Sequence, residues 1–533
     1  MAHAHPGSSS DTLIAPPSPV HTTTHKPSTL MESDLELYPL ESESPAPIPK
    51  LFREASDITW QESLESSQEQ VPLVRRRGLH RYRLVHQQQF KNSLLASVGY
   101  LELANAGDFA ANVWNDIPVP TFAAVLMGIG GTLALAMTWV AVQDFRLSWR
   151  NVRLLREERE HLMRLKAYHS HNYSHDHSRT CNEGTPTRNE ELTRVLDSRL
   201  GVGMREIGTE VVDRIVMDLL MGAGSVLVGV GTLMAIGGAN PRVYKASNLL
   251  SGYIGNALAA LFGIANAIWS IYLIRRFRMY DRAVLSQEPS DDIRRRLRLR
   301  FKRFQWHSLV NCLNGLVAGA ASMVTAKWWE GYVVLIPCII SLIMCNHFWR
   351  QKLGYDRPIL DHVSLAKLQL TPLIEDLEYV IAMQRVLGEL DSQLHPDREL
   401  DHTTQPIVRA DSLDSMLRFI VRNHMLETYV DDLAHDKTTR SILSEIPSTD
   451  STTTNGPETI VTLDVLLRLS QAKQSHAQLL LNHARRFLST EGVRIFTHRE
   501  RHLLELLGYA VWQDQTASTV APPTLAKDTI ECK

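Results

Sequence analysis

The sequence predicts an all-α fold, a polytopic membrane helix bundle with a cytosolic helical region and a disordered N-terminal tail. Three observations predict it. Five windows, 119–142, 215–239, 249–274, 308–326 and 331–349, are almost free of charge, and about 20 apolar residues at ~1.5 Å each cross a bilayer core. Lys and Arg are divided unequally among the segments that flank those windows. Beyond Arg357 the apolar period becomes that of amphipathic soluble helices.

Bulk composition hides this pattern. The 533 residues are 44% hydrophobic and 21% charged, with a formal net charge of -2. Those figures exclude a wholly disordered chain, a collagen-like chain and a strongly basic nucleic-acid binder. The five cysteines, Cys181, Cys312, Cys338, Cys345 and Cys532, show no paired spacing and read as thiols. The opening MAHAHPGSSS is not a secretory signal, and the closing ECK is not a prenylation box.

Residues 1–74 are rich in Ser, Pro, Thr and Glu and read as a disordered cytosolic tail. Residues 75–355 read as the membrane domain. Segments 75–91, 144–166, 275–303 and 350–357 hold 27 Lys and Arg; links 114–118, 240–248 and 326–331 hold three. The positive-inside rule assigns the first group to the cytosol. Five crossings would put 75–91 on the wrong side, so a sixth is expected at 92–113, although it carries Glu102 and Asp108. The alternative is an amphipathic helix lying on the membrane surface. Six spans, about 92–113, 119–142, 215–239, 249–274, 307–326 and 331–349, make three hairpins with both termini cytosolic.

Gly255, Ala259, Gly263 and Ala267 form a small-residue stripe, and Gly315 with Gly319 a GxxxG pair; both are expected to pack inside the bundle. Asn256, Asn266, Asn311 and Asn314 are expected to hydrogen-bond between helices. The run RRRLRLRFKR (294–303) is expected to anchor topology and contact anionic lipid heads. Residues 356–515 read as a cytosolic helical region, its first helix capped by Thr371 and Pro372, a second following Asp411, a third over 460–488 and a fourth capped by Thr497 and Glu500. The polar stretch 436–458 reads as a linker and 516–533 as a loose tail.

Chemistry-bearing patterns are few. His169, His171, His175 and His177 sit in the inner loop 144–213 and are the candidate metal ligands, for Zn²⁺ or Cu²⁺, although their spacing matches no structural zinc box. His498 and His502, in HRERH, lack the glutamate position of a metalloprotease and read as surface histidines. There is no phosphate-binding loop, nucleophile elbow or kinase motif set, so the sequence implies no enzyme, no cofactor and no nucleic-acid partner.

The segments RLSWRNVRLLREERE (146–160) and NLLSGYIGNALAALFGIANAIWSIY (248–272) resemble uncharacterised multi-pass integral membrane proteins of filamentous fungi. The resemblance covers roughly 90–355, implies an integral membrane protein and brings no catalytic or binding residues. The expected function is therefore non-enzymatic, a regulatory or scaffold role exerted through the cytosolic helices and a protein partner. The alternative is a transporter or channel for a small cation, zinc or proton. Six spans and a His-rich loop resemble cation-diffusion zinc transporters, but the nearest approach to their ligand pairs, His307 and Asn311, lacks a carboxylate.

Overall fold

The computed structural model describes residues 71–76, 81–84, 89–92, 98–114, 119–176, 188–286, 291–359, 373–392, 412–443, 445–446 and 458–520. Helix dominates. In the membrane-type part the elements are α1 (Val98–Asn105), a 3₁₀ turn (Ala106–Asp108), α2 (Phe109–Val113), α3 (Thr121–Asp176), α4 (Arg188–Glu210), a π turn (Val211–Val216), α5 (Met217–Ala235), α6 (Pro241–Ser247), a π turn (Asn248–Gly255), α7 (Asn256–Ser286), α8 (Asp291–Thr325) and α9 (Gly331–Phe348).

Five helical stretches are long and apolar enough to cross a membrane. Between 22% and 56% of each apolar stretch is buried by the protein itself. Val125, Leu219 and Ile268 are each more than 60% exposed, as expected where lipid supplies the remaining contacts. The chain is thus a helical protein of membrane type.

Small residues set how closely these helices approach. A Cβ on Gly263 would lie 2.6 Å from the Gly315 carbonyl oxygen, and one on Gly319 2.9 Å from the Ala260 Cα. The stripe on α7 therefore seats the GxxxG of α8, as its spacing predicts. Asn311 Nδ2 donates to Asn266 Oδ1 at 2.9 Å, and Asn314 Nδ2 to Ser341 Oγ at 2.7 Å. Asn256 instead donates back to Gly252 O within its own helix.

Of the expected segment 92–113, residues 98–113 fold as broken helix. Leu101, Glu102, Ala104 and Asp108 are buried, and Gly107 meets Gly130 of α3 backbone to backbone. Asp108 accepts from the Tyr332 hydroxyl at 2.6 Å and from Asn112 Nδ2 at 2.9 Å.

Several sequence expectations need correction. The expected loop 144–213 is largely helical, because α3 continues its polar-faced period to Asp176 and α4 begins at Arg188. The end of the expected tail is ordered into strand β1 (Val71–Arg76), which pairs with β2 (Arg81–Leu84) and β5 (Glu458–Val461). β3 (Gln89–Phe90) pairs with β4 (Arg357–Pro358). These strands are too short to stand out by alternation.

The helices that follow the membrane-type part are α10 (Leu373–Ser392), α11 (Leu413–Arg422), α12 (Leu426–His435), α13 (Arg440–Leu443), α14 (Leu463–Ala472), α15 (Gln474–Phe487) and α16 (Val493–Val520). Thr371 and Pro372 lie outside the described residues. Ser412 caps α11 by accepting from Ser415 N, and Thr462 caps α14 by accepting from Val465 N. The expected third helix divides at Lys473. Thr497 caps nothing: its hydroxyl bonds to Val493 O inside a continuous α16. One core joins Val71, Tyr82 and Leu84 to Met416, Ile420, Tyr429, Leu466, Phe487 and Phe496, so strands preceding the bundle and helices following it form one hydrophobic unit.

Candidate functional site

The most concentrated chemistry lies where the helices leave their apolar stretches. Five segments supply it. α3 carries Asp144, Asn151 and Glu158; α4 and its π turn carry Arg205, Glu206, Glu210 and Arg214; α8 carries Arg300; and α16 carries His498, His502 and Glu505. The short stretch after α9 adds Tyr355, Asp356 and Arg357.

Arg205 is 1% exposed and reaches Glu505 with two donors, Nε and Nη2, each at 2.7 Å. Its Nη2 also donates to the Tyr355 hydroxyl at 2.7 Å, and that hydroxyl donates to Glu206 Oε1 at 2.8 Å. Arg357 bridges two carboxylates, Glu158 at 2.7 Å and Glu206 at 2.6 Å. Arg300 stands 3.6 Å from Glu505 and 4.9 Å from the Phe304 ring centre. Three guanidinium groups thus face three carboxylates with the tyrosine between them. Paired forks of this kind are the strong form of the hydrogen bond, and burial makes every lost partner expensive.

The network spans about 150 to 300 positions of sequence. It ties α16, the last described helix, to α4 and α8 of the bundle. Phe277, Tyr280, Phe301, Phe304, Leu504 and Leu507 surround it in a continuous apolar cluster. Beside it, Arg214 joins Asp144 at 2.5 Å and Glu210 at 3.0 Å, all fully buried.

Electrostatics outside the spans follow from these partners. Burial works against the charge on Arg357, but Glu158 and Glu206 outweigh it and hold its pKa well above the usual value. Burial raises the Tyr355 phenol well above its ordinary value. Burial, with repulsion from Arg357, drives His502 far below the usual histidine range. His498 is lowered to about 4, chiefly by burial; Asp356 opposes the shift and Arg501 adds to it.

These two histidines correct the reading of HRERH as surface. His502 packs tilted against the Tyr355 ring, 5.2 Å between ring centres, and His498 Nδ1 accepts from Asp356 N at 3.2 Å. A histidine kept neutral when folded carries a pH dependence of known sign. Above the ordinary value of about 6.5 folded and unfolded chains both hold it neutral, and below that the unfolded chain takes the proton first. Lowering pH from 7 to 5 is therefore expected to destabilise the docked α16 by up to about 2 kcal/mol. His498→Gln should flatten the dependence, as read by thermal unfolding across that pH range.

The candidate metal ligands fall differently. The backbone of His169, His171 and His175 belongs to α3, but their side chains, and all of His177, lie outside the described residues. Among the described residues no group of three or more His, Cys, Asp or Glu could hold a metal ion. His307 stacks on Phe348 and lies tilted, 5.2 Å between ring centres, against Trp349. Part of the basic run is engaged within the protein: Arg296 pairs with Asp292 and Glu500, and Arg298 with Asp281. Arg300 is buried, whereas Arg295, Lys302 and Arg303 stay exposed.

Sequence reading missed Arg205, Glu206, Tyr355, Arg357 and Glu505. One signal was available. Glu505 stands alone in LLELLGYAVW and Arg205-Glu206 in GVGMREIG, charged groups where the apolar period continues through them. No family model, no curated protein and no solved structure matches this chain.

Proposed function

We propose that the chain is a six-pass membrane protein with both described ends on the cytosolic face, and that it acts non-enzymatically as a regulatory or scaffold module. Its helical domain is held to the bundle by the Arg205–Glu505 and Arg357–Glu206 pairs. One observation carries the reading. β3 precedes every candidate span and β4 follows every one, yet Phe90 pairs with Arg357 and Gln89 with Pro358. β1 and β5 are paired in the same way, Val71 opposite Val461. Strands in one sheet share one aqueous compartment, so the chain between them crosses an even number of times. Five long helices leave one crossing to find, and the broken α1–α2 segment packed against α9 supports placing it there.

This geometry favours a protein that transmits position between bundle and cytosol. Exposed Arg295, Lys302 and Arg303 are the groups left for anionic lipid heads. The helical domain around α11–α15 is the part offered to a protein partner. The second reading, passage of a small cation, is supported by Asp108 buried at the break of the first segment, since intramembrane acids commonly mark ion or proton routes. It favours a proton over zinc, because His307 and Asn311 offer zinc no carboxylate.

Epitope tags placed ahead of residue 71 and after residue 520 are expected to be protected together in sealed vesicles. A cysteine introduced at Trp114 in a background without other cysteines should be labelled only from the opposite side. Tags reporting opposite faces would overturn the six-pass reading.

A further inference from the structure

We propose that Asp218 is a proton-binding site that switches the partners of Arg214 at the inner boundary of the bundle. The inference rests on the reading of α5 as membrane-embedded and goes beyond the scaffold role.

Asp218 opens α5 one turn after Arg214. It is 5% exposed, and both of its carboxyl oxygens are buried without a hydrogen-bond donor among the described residues. Its charged neighbours are Asp144, Arg214 and Glu210. Arg214 is the guanidinium within this group, and it is already taken: Nη2 binds Asp144 at 2.5 Å, and Nη1 binds Glu210 at 3.2 and 3.0 Å. Three carboxyls therefore share one guanidinium in a layer where Asp144, Glu210 and Arg214 are each 0% exposed.

The other titratable or charged groups on elements packed against α5 are placed elsewhere. α3 carries Arg146 and Arg150 and α7 carries Arg275, all exposed, while Arg276 of α7 donates to the Tyr272 hydroxyl and to Gly201 O. α1 contributes Glu102, the 3₁₀ turn Asp108 and the π turn Asp213, all acids, while α6 carries its cations Arg242 and Lys245 at the opposite end of α5. On the α7 side Phe262 packs in one apolar cluster with Leu101, Met217 and Met221. A carboxylate left bare in such surroundings is very unfavourable.

A proton is the cation that resolves this. It needs no shell of oxygen ligands, whereas a metal ion does, and no metal-holding group is found among the described residues. The step is simple: one Asp218 oxygen forms an O–H bond, and the proton comes from water. With that proton bound, Arg214 keeps Asp144 and Glu210. With it lost, Asp218 competes for Arg214.

The consequence reaches the cytosol through named atoms. Glu210 also accepts from Asn151 Nδ2 at 3.2 Å, and Asn151 donates to Lys91 O at 2.8 Å. Glu206, which holds Arg357 and Tyr355, lies one turn away on α4. The π turn Val211–Val216 carries Arg214 between Glu210 at the end of α4 and Asp218 on α5, and π segments are register defects that recur at functional sites.

The test is infrared spectroscopy of the full chain in lipid nanodiscs, titrated from neutral to alkaline pH. The wild type is expected to show a protonated-carboxyl C=O band at neutral pH. A component of it should be lost in Asp218→Asn and should persist at a shifted frequency in Asp218→Glu. Identical carboxyl bands in wild type and folded Asp218→Asn would overturn the proposal. If Asp218→Asn does not fold, an unshifted band in Asp218→Glu overturns it equally. Either result leaves the vesicle tags free to report on the six-pass reading by themselves.

Discussion

Arg205→Met is expected to lower the stability of the full chain by about 3–5 kcal/mol, the range for removing one partner of a buried ion pair. The substitution keeps the side-chain length and removes every donor. Glu505, fully buried, then loses both of its 2.7 Å bonds to Arg205, and Tyr355 loses its donor. Arg300, at 3.6 Å, is too distant and too committed to Leu353 O to replace them. The measurement is denaturant or thermal unfolding in detergent, together with protease release of α16. The double variant Arg205→Met/Glu505→Leu should recover most of the loss, since replacing a buried pair by apolar groups of similar volume is often neutral. A single variant within about 0.5 kcal/mol of wild type, the ordinary range for a surface change, would show that the network does not hold α16 to the bundle.

Gly130→Val is expected to cost about 3 kcal/mol or more, at the upper end of overpacking effects. A Cβ there would lie 2.2 Å from the Gly107 carbonyl oxygen and 3.1 Å from its carbonyl carbon. The obstacle is backbone of the broken first segment, which cannot rotate aside as a side-chain tip can. Displacing it would also strain the bonds that Tyr332 and Asn112 make to Asp108. Gly128 is the internal control, because nothing lies within 4 Å of its Cβ position. Gly128→Val should stay within about 0.5 kcal/mol of wild type. Equal effects of the two substitutions, measured by unfolding in the same detergent, would dismiss the close contact as a determinant of stability.

Much of the architecture was legible before any coordinates. The five apolar stretches fall inside the helices expected to carry them, and the α7 stripe meets the α8 GxxxG. Asn311 and Asn314 bond across helices as their position in apolar runs implied. Helix limits were less legible. α3 runs on to Asp176 because its C-terminal half, rich in Arg and Glu, keeps helix-favouring residues and i,i+4 pairs such as Arg153–Glu157. Hydropathy registers where apolar character ends, and a helix can continue well past that point. The strands escaped notice because two to six residues cannot establish a period. HRERH read as surface because all five of its residues are charged or titratable, and only tertiary packing, such as that of Tyr355 on His502, encloses it.

Hydropathy and the placement of Lys and Arg determined, from the sequence by itself, that this is a helical membrane-type protein with its basic segments grouped together. Both are sums over adjacent residues, and they survive any arrangement of the chain in space. The buried ion network, the pairing of β3 with β4 and the unpartnered carboxyl of Asp218 belong to the tertiary structure alone. Each depends on groups far apart in sequence sharing a place from which water has been removed. Whether an arginine is a solvated charge or a clamp is decided by what closes over it, and no local pattern records that.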